Sequence, residues 1–244
     1  MLCLRSRRPD EPLDARISAM SKLRAKKIKL ILFDVDGVLT DGKIWIFPAP
    51  AGDRQPLPQQ ANAGLAGDPG SAPEQTGDVS SKLRMGGSGS GFGFQSATLI
   101  EAKGFHAHDG TAISLARYAG IKTGVITKRI SETVALRARD LKMDHVYQGK
   151  QNKLTVFRQI LEKEGIPAAE AAFVGDDVID LPVMRQCGLA IAVKNARPEV
   201  KAEAHWVTAH AGGDGAARDA IEYILKAQGK WKKAVEDYTS ERGG

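Results

Sequence analysis

Short apolar runs alternate along the chain with segments in which apolar residues recur at helical spacing. Lys29–Phe33, Lys122–Ile126 and Ala171–Val174 have the length and composition of buried strands, and Lys153–Glu164 and Ala216–Gln228 have a helical pattern. Strands alternating with helices of this length predict an α/β fold, a parallel sheet with helices on both faces. The other predicted strands are His145–Tyr147, Leu189–Val193 and His205–Thr208, and the other predicted helices are Thr111–Ala119, a segment from Ser131 to about Leu141, and Asp180–Arg185.

A β-hairpin is predicted from Lys43–Phe47 and a return arm at Ala97–Ala102. Between the arms, residues at about 48–95 are rich in Gly, Pro, Ala, Gln and Ser. Such a composition buries too little apolar surface to offset the entropy of ordering, so we expect a disordered insertion. It acts either as a spacer or as an extension of the hairpin.

The positive charge of the chain is concentrated near its start. The formal net charge is +6, and residues 1–28 contribute +5 of it through eight basic and three acidic side chains. Residues 1–27 show no helical or strand periodicity, so we expect a disordered tail, with either Met1 or Met20 as the true start. The rest is one domain at 28–234 with a short tail at 235–244. Because that domain is close to neutral, no nucleic-acid partner is expected.

The cysteine content and the length of the apolar runs bear on the cellular compartment of the protein. Cys3 and Cys187 offer neither a disulfide framework nor metal-ligand spacing, which is typical of a reducing compartment, so we expect a cytoplasmic protein. No apolar run approaches the roughly 18 residues of a membrane span, and the basic N-terminus lacks the apolar core of a signal peptide. No membrane partner is therefore expected.

The first predicted strand is followed by two carboxylates and a glycine, Asp34, Asp36 and Gly37. Phosphoryl transfer needs an oxygen nucleophile, a proton donor for the leaving alcohol and a cation that offsets the phosphoryl charge. Asp34 can be the nucleophile and bind Mg²⁺, and Asp36 can exchange the proton. An acidic turn or a calcium loop is the alternative, but a calcium loop requires glycine at its sixth position.

Other polar residues follow the next predicted strands, Thr127 in one case and Asp176 with Asp177 in another. The carboxyl ends of parallel strands meet at one edge of a sheet, so we expect these residues close to Asp34. Two adjacent acids after a buried strand are costly unless they share a cation. The pattern therefore predicts a divalent cation at this edge.

The motifs Asp34-Val-Asp36-Gly-Val-Leu-Thr-Asp-Gly, Gly-Val-Ile-Thr127, Gln-Gly-Lys-Gln-Asn-Lys153 and Phe-Val-Gly-Asp176-Asp177 resemble those of the haloacid dehalogenase superfamily. The branch that they resemble is the 3-deoxy-D-manno-octulosonate (KDO) 8-phosphate phosphatases, over residues 27–48 and 97–234. The resemblance implies a Rossmann-like fold with a hairpin flap and no cap domain. It also implies an aspartyl-phosphate on Asp34, with Asp36, Thr127 and Lys153 as the other catalytic residues.

The same resemblance implies how the ligands are held. Mg²⁺ would be bound by Asp34, Asp176 and the backbone carbonyl of Asp36, and Asp177 would orient Lys153 or a metal-bound water. A small phosphorylated sugar acid of lipopolysaccharide synthesis would be the substrate, within a homotetramer. The implied substrate-binding residues are Asp36, His106, His108, Asp109, Gly110, Arg129, Arg137 and Lys153, with the segment Phe105–Gly110 as a loop.

Three positions depart from the branch: Lys128 stands where it has Gly, and His108 and Asp214 where it has Arg. A phosphatase of a nonulosonate (sialic-acid-type) 9-phosphate or of another sugar phosphate is therefore the second hypothesis. The third is a non-catalytic binding module, against which Asp36 and Lys153 argue, because such a module needs no acid or base.

Overall fold

The computed structural model describes residues 13–48 and 99–241. The predicted insertion at 48–95 therefore lies outside the described residues except for Pro48, as do residues 1–12 of the predicted tail and any cap domain within 49–98. The strands are β1 (Leu30–Phe33), β2 (Trp45–Pro48), β3 (Leu99–Ala102), β4 (Lys122–Ile126), β5 (His145–Tyr147), β6 (Ala171–Gly175), β7 (Leu189–Ala192) and β8 (Trp206–Val207).

Six of these strands form one parallel sheet in the order β5-β4-β1-β6-β7-β8. β1 lies between β4 and β6, and every residue of β1 and β6 is buried. Strands buried on both faces are expected to be continuous apolar runs, which is how Leu30–Phe33 reads in the sequence. β2 and β3 form a separate antiparallel pair, so the hairpin arms are paired as predicted.

Two groups of helices contact the sheet, as expected for a sheet covered on both faces. One group comprises α1, α2, α7 and α8, and the other comprises α4, α5 and α6. The helices are α1 (Leu13–Ala25), α2 (Ala107–Tyr118), α3 (Glu132–Asp140), α4 (Lys153–Glu164), α5 (Leu181–Met184), α6 (Pro198–Glu203), α7 (Ala216–Ala227) and α8 (Trp231–Ser240), with 3₁₀ turns at Ala168–Glu170 and Val178–Asp180.

The two expected tails are corrected in part, because each contains a helix. α1 contacts α7, and its residues Ser21 and Ala25 are buried. The Ser21 and Tyr223 hydroxyls form a hydrogen bond of 2.6 Å. α8 packs on α2 through buried Ala234 and an edge-to-face contact between Tyr118 and Tyr238. Small buried residues such as Ser21 and Ala25 give little hydrophobic periodicity, which is why the sequence pattern missed α1.

The start of α2 also differs from the prediction. The helix begins at Ala107, four residues before the expected Thr111, with His106 as its N-terminal cap residue in extended conformation. His108, Asp109 and Gly110 are therefore helical, and the expected Phe105–Gly110 loop is wrong at these positions. Among the described residues, no helix is both long and apolar enough to cross a membrane.

Candidate active site

The ends of three neighbouring strands bring the predicted site residues together. Asp34 follows β1, Thr127 follows β4 and Asp176 follows β6, and β1 is hydrogen-bonded to both other strands. The Asp34 N–H donates to Val174 O at 3.0 Å, which extends the ladder to the residue that bears the carboxylate. Asp34 and Thr127 are buried and Asp176 is half-buried. The sheet thus assembles the edge that the sequence predicted.

Lys153, the first residue of α4, reaches into this edge. Its Nζ lies 2.8 Å from Asp34 Oδ1, and both side chains are buried. The helix can begin here because the Asn152 side chain accepts a hydrogen bond from the Thr155 N–H at 3.1 Å. Burial lowers the pKa of the Lys153 ammonium, but Asp34 and Asp180 outweigh that effect and raise the pKa, so the two carboxylates favour the charged form of the side chain.

The second carboxylate on Lys153 is Asp180, and this corrects the expectation that Asp177 orients Lys153, whereas its alternative role at a metal-bound water stays a prediction. Asp180 is completely buried, and its Oδ1 accepts from Lys153 Nζ at 2.7 Å while its Oδ2 accepts from the Asp176 N–H at 3.1 Å. The exposed Asp177 side chain instead accepts from the Val178 N–H at 2.7 Å, as the cap of a 3₁₀ turn. The turn carries Asp180 inward and leaves Asp177 at the surface.

Asp34, Asp176 and Asp180 form an acidic cluster whose carboxylate oxygens lie within 4.8 Å of one another. Burial raises the pKa of Asp34 to about 6, with Asp180 adding to the rise and Lys153 opposing it. Burial, followed by repulsion from Asp34 and Asp180, raises the pKa of Asp176 to about 7. Asp176 Oδ1 is buried without a hydrogen-bond partner among the described residues. Clustered oxygens with an unpartnered carboxylate fit a hard divalent cation such as Mg²⁺.

The nucleophile loop is packed tightly beneath this cluster. Gly37 has φ +91°, and a Cβ at this position would lie 2.1 Å from Asp176 Oδ2. A Cβ on Gly212, in the loop before α7, would lie 1.7 Å from the Gly37 carbonyl oxygen. The Gly213 N–H donates to Val38 O at 3.1 Å, and Asn195 Oδ1 accepts from the Gly212 N–H at 2.8 Å. Glycine is therefore required by contact at both positions.

The Asp36 carboxylate points away from the acidic cluster towards a second lysine. Its Oδ1 accepts a hydrogen bond from Lys103 Nζ, and its Oδ2 lies 3.7 Å from Arg129 Nε. Glu101 Oε2 accepts from Arg129 Nη2 at 2.8 Å, and Glu101 Oε1 lies 3.6 Å from Lys103 Nζ. We call Asp36, Glu101, Lys103 and Arg129 the four-charge network. It joins strand β3 of the hairpin to the loops after β1 and β4.

Thr127 lies beside this network. Its hydroxyl oxygen accepts from the Arg129 N–H at 3.3 Å, and its own N–H donates to Tyr147 O at 2.9 Å. A hydroxyl that accepts a bond still has one proton to donate. The residue is therefore placed to hold an oxygen of a ligand through its hydroxyl rather than through its backbone N–H.

The residues predicted to bind the substrate do not all converge. Asp109 is buried and accepts from the Arg218 N–H at 2.8 Å in the first turn of α7, so its carboxylate is used within the fold. Burial raises its pKa. Only Oδ1 is used in this way, because Asp109 Oδ2 is buried without a hydrogen-bond partner among the described residues, so substrate binding by Asp109 stays a prediction.

His106, His108 and Arg137 form a second group around Phe105. The two histidine rings meet edge to face at 4.9 Å, and the Arg137 guanidinium lies 5.9 Å from the Phe105 ring centroid. Gly110 makes room for Arg137, since a Cβ at this position would lie 2.3 Å from Arg137 Nη2. Arg129, in contrast, joins the network at Asp36.

Three residues of the site were not found from the sequence: Glu101, Lys103 and Asp180 in its buried role. Glu101 and Lys103 lie just before the Phe105 motif but match no motif themselves, and the contact of Lys103 with Asp36 spans 67 positions. The sequence pattern places Asp180 only at the start of a predicted helix. Alternating charges at 101 and 103 are a weak signal, since they are also found on solvated strands.

Comparison with known proteins agrees with this geometry. The model of the haloacid dehalogenase-like hydrolase family matches residues 125–219. Over 218 residues the chain is 34% identical to 3-deoxy-D-manno-octulosonate 8-phosphate phosphatase KdsC of Escherichia coli, and the alignment covers 89% of this chain and 90% of that protein.

Solved structures of the same kind are similar in fold. The phosphatase of that name from Moraxella catarrhalis, in complex with magnesium ion, phosphate ion and KDO, matches with a TM-score of 0.66 and 28% identity, covering 89% of this chain and 97% of that one. The phosphatase of that name from Yersinia pestis matches with a TM-score of 0.64 and 30% identity, and the alignment covers 87% of this chain and 89% of that one. The chain belongs to the 3-deoxy-D-manno-octulosonate 8-phosphate phosphatase family of haloacid dehalogenase-like hydrolases.

Proposed function

We propose that this chain is a Mg²⁺-dependent phosphomonoesterase that hydrolyses KDO 8-phosphate to KDO and phosphate in lipopolysaccharide synthesis, through an aspartyl-phosphate on Asp34. The observation that carries the proposal is a buried nucleophilic carboxylate held at 2.8 Å by Lys153 beside an acidic cluster. The relatives of that name and the Moraxella structure with magnesium, phosphate and KDO support it.

The residues that would hold Mg²⁺ are Asp34, Asp176 and the backbone carbonyl of Asp36, with Asp180 completing the acidic surroundings. The cation supplies positive charge that offsets the charge of the phosphoryl oxygens. Lys153, whose Nζ lies 2.8 Å from Asp34 Oδ1, supplies further positive charge. Since Lys153 also bonds Asp180, its ammonium is fixed before any ligand arrives, which favours electrostatic stabilisation of the transition state.

The chemistry divides between the two aspartates of the nucleophile loop. An Asp34 carboxylate oxygen forms a bond to phosphorus as the bond from phosphorus to the sugar oxygen breaks, and the proton of the Asp36 carboxyl passes to that oxygen. In the second step Asp36 takes a proton from water, whose oxygen displaces Asp34 from phosphorus. The Thr127 hydroxyl donates to a phosphoryl oxygen during both steps.

Recognition of the sugar acid falls to the cations around this centre. Arg129 lies in the network beside Asp36, and Arg137 lies with His106 and His108 around Phe105. A guanidinium binds a carboxylate through two parallel hydrogen bonds, which suits the carboxylate of a sugar acid. His108 in place of Arg favours a second candidate, a nonulosonate 9-phosphate or another sugar phosphate, because an imidazole lacks the two parallel N–H donors with which a guanidinium binds a carboxylate.

Phosphate release from a panel of sugar phosphates, with Mg²⁺ and with EDTA, tests the proposal. The panel includes KDO 8-phosphate and a nonulosonate 9-phosphate. We expect Mg²⁺-dependent preference for KDO 8-phosphate, whereas preference for the 9-phosphate selects the second candidate. Asp34→Asn and Asp36→Asn should lose activity while folding normally, since an amide neither attacks phosphorus nor delivers the proton. Wild-type rates in either variant would overturn the mechanism, and no release from any substrate would support a binding module.

We also propose a cytoplasmic homotetramer assembled through the hairpin. Trp45 is 54% exposed and Phe47 is 48% exposed on β2, and Ile100 is exposed on β3. A two-stranded sheet with apolar side chains in water is marginally stable alone, so a second copy of the chain is a suitable cover. The cysteine usage, with Cys187 buried as a free thiol, supports the reducing cytoplasm.

Light scattering coupled to gel filtration tests the assembly. Trp45→Ser with Phe47→Ser should shift the protein from tetramer to smaller species. Leu136→Ser is a matched control, because Leu136 is 50% exposed on α3 and lies outside the hairpin. An unchanged mass in the hairpin variant, or an equal change in the control, would contradict assembly through this surface.

A further inference from the structure

We propose that Lys103 is a positioning residue that holds the Asp36 carboxyl in place as the proton donor, an inference that rests on the function proposed above. The Lys103 side chain is 0% exposed, and its Nζ donates to Asp36 Oδ1. A buried ammonium is costly unless it is paired, so its place is set by the carboxylates that it meets. Lys103 thus fixes one oxygen of Asp36.

The neighbouring charges make this contact specific. Lys103 Nζ lies 3.6 Å from Glu101 Oε1, and Glu101 Oε2 accepts from Arg129 Nη2 at 2.8 Å. Counted with Asp36 ionised, as it is once its proton has passed to the leaving group, the network carries two positive and two negative charges in alternation, and its formal charge is zero. Removing the ammonium would leave Asp36 and Glu101 sharing a single cation, which would let the Asp36 carboxyl turn towards Arg129.

The two oxygens of Asp36 consequently have different surroundings. Oδ1 is held by Lys103, whereas Oδ2 lies 3.7 Å from Arg129 Nε, an atom without a hydrogen-bond partner in the described part of the chain. Oδ2 is therefore the oxygen that can carry the proton to the leaving group. General acid catalysis depends on hydrogen-bond distance to the proton acceptor, so a rotated carboxyl loses this contribution.

A separate lysine serves each aspartate of the nucleophile loop. Lys153 comes from α4 and holds Asp34, whereas Lys103 is the first residue after hairpin strand β3 and holds Asp36. The position of the hairpin and the orientation of the proton donor are coupled through this one side chain. If Lys103 acted only in folding, replacing it would weaken attack by Asp34 and proton transfer by Asp36 equally. If it positions Asp36, replacing it would weaken mainly the proton transfer, and kinetics can distinguish the two cases.

Leaving groups of different basicity separate the two roles. Phenyl phosphate and 4-nitrophenyl phosphate are similar in size, but the phenolate released from the first is the stronger base and requires the proton more. We expect Lys103→Met to lower kcat/KM for phenyl phosphate by about 100-fold, the low end of a general acid contribution, and for 4-nitrophenyl phosphate by only about fivefold. Lys103→Arg should restore most of the difference, because it returns the cation.

Lys122→Met is the matched control. Lys122, the first residue of β4, forms an ion pair with Glu164 at the end of α4. The variant therefore also removes a lysine from an ion pair, but at a site remote from Asp36. It should leave the ratio of the two substrates unchanged. If thermal unfolding shows that Lys103→Met is not folded, Lys103→Gln, which also removes the ammonium, replaces it in the same measurement with the same expected difference between the two substrates.

Equal losses for the two aryl phosphates in Lys103→Met would overturn the inference, since the lysine would then act only on the fold. The inference would also be overturned if Lys103→Arg restored the midpoint of thermal unfolding but did not restore the ratio of kcat/KM for the two aryl phosphates. If the wild-type protein hydrolysed neither aryl phosphate nor any sugar phosphate, the proposed function itself would be wrong, and the inference would be lost with it.

Discussion

The Lys153 ammonium donates a hydrogen bond to Asp180 Oδ1 over 2.7 Å, and both side chains are buried. Asp180 also accepts from the Asp176 N–H, so it ties the lysine to the strand end that carries Asp176. Asp177, its neighbour in the sequence motif, is exposed and caps its own turn. The orientation of Lys153 therefore depends on Asp180, three residues beyond the predicted motif, rather than on Asp177.

This arrangement predicts different outcomes for two isosteric variants. Asp180→Asn loses a charged acceptor, worth about 1.5–3 kcal/mol, and should lower both the free energy of unfolding and kcat/KM, the latter by about tenfold or more. Asp177→Asn should change stability by about 0.5 kcal/mol or less, as surface substitutions do. Urea denaturation and steady-state kinetics measure both. A larger loss in Asp177→Asn than in Asp180→Asn would contradict the assignment.

Gly37→Ala should strongly lower activity and raise the Mg²⁺ concentration that half-maximal activity requires. Its Cβ would lie 2.1 Å from Asp176 Oδ2, so the acidic cluster would have to open. Gly120→Ala is the control, because Gly120 also has a positive φ, +73°, but a Cβ there would meet nothing within 4 Å. Both variants carry the backbone cost of about 1–2 kcal/mol, and only the first disturbs the cation site. Mg²⁺ titration of activity distinguishes them, and similar Mg²⁺ dependence in both would refute this explanation.

Gly110→Ala should raise KM for the sugar phosphate. A Cβ would lie 2.3 Å from Arg137 Nη2, and a long side chain yields by moving rather than by unfolding the helix. If Arg137 binds the substrate, losing a charge-assisted hydrogen bond of about 1.5–3 kcal/mol raises KM about ten- to 100-fold with a smaller change in kcat. Gly104→Ala, which would meet nothing within 4 Å, is the control. An unchanged KM would exclude Arg137 from binding.

The metal-free protein should lose stability as the pH rises. The pKa of Asp34 is raised to about 6 and that of Asp176 to about 7, chiefly by burial, from an ordinary 3.8. Between these values the folded protein binds more protons than the unfolded chain, so these two groups make the free energy of unfolding fall from about pH 4 to about pH 7.

Mg²⁺ should flatten this dependence, because a bound cation favours the ionised carboxylates and stabilises the folded state. Urea denaturation at several pH values, in EDTA and in Mg²⁺, measures both slopes. Asp176→Asn should show a smaller slope in EDTA, since it removes one of the two titrating groups. The raised pKa values of Asp34 and Asp176 would be contradicted if, in EDTA, the free energy of unfolding rose with pH equally in the wild-type protein and in the variant.

The local pattern of apolar residues was sufficient to predict the elements whose own residues form the buried core. β1, β4 and β6 were predicted almost to the residue, because strands buried on both faces are continuous apolar runs. α4 was also predicted at both ends, since Gly165 ends it in the left-handed conformation. α1 and α8 were missed because their stability comes from contacts with α7 and α2, which no local window contains.

The sequence by itself determined which residues meet at the sheet edge. Parallel strands place their carboxyl ends at one edge, so Asp34, Thr127 and Asp176 were expected at the same edge, and the pairing of β1 with β4 and β6 makes them neighbours there. Tertiary structure decided the partners of those residues. Asp180 rather than Asp177 bonds Lys153 because a 3₁₀ turn sets which side chain points inward, and Lys103 reaches Asp36 across 67 positions because the hairpin folds back over the site. Such choices depend on side-chain direction and long-range contact, which spacing along the chain does not encode.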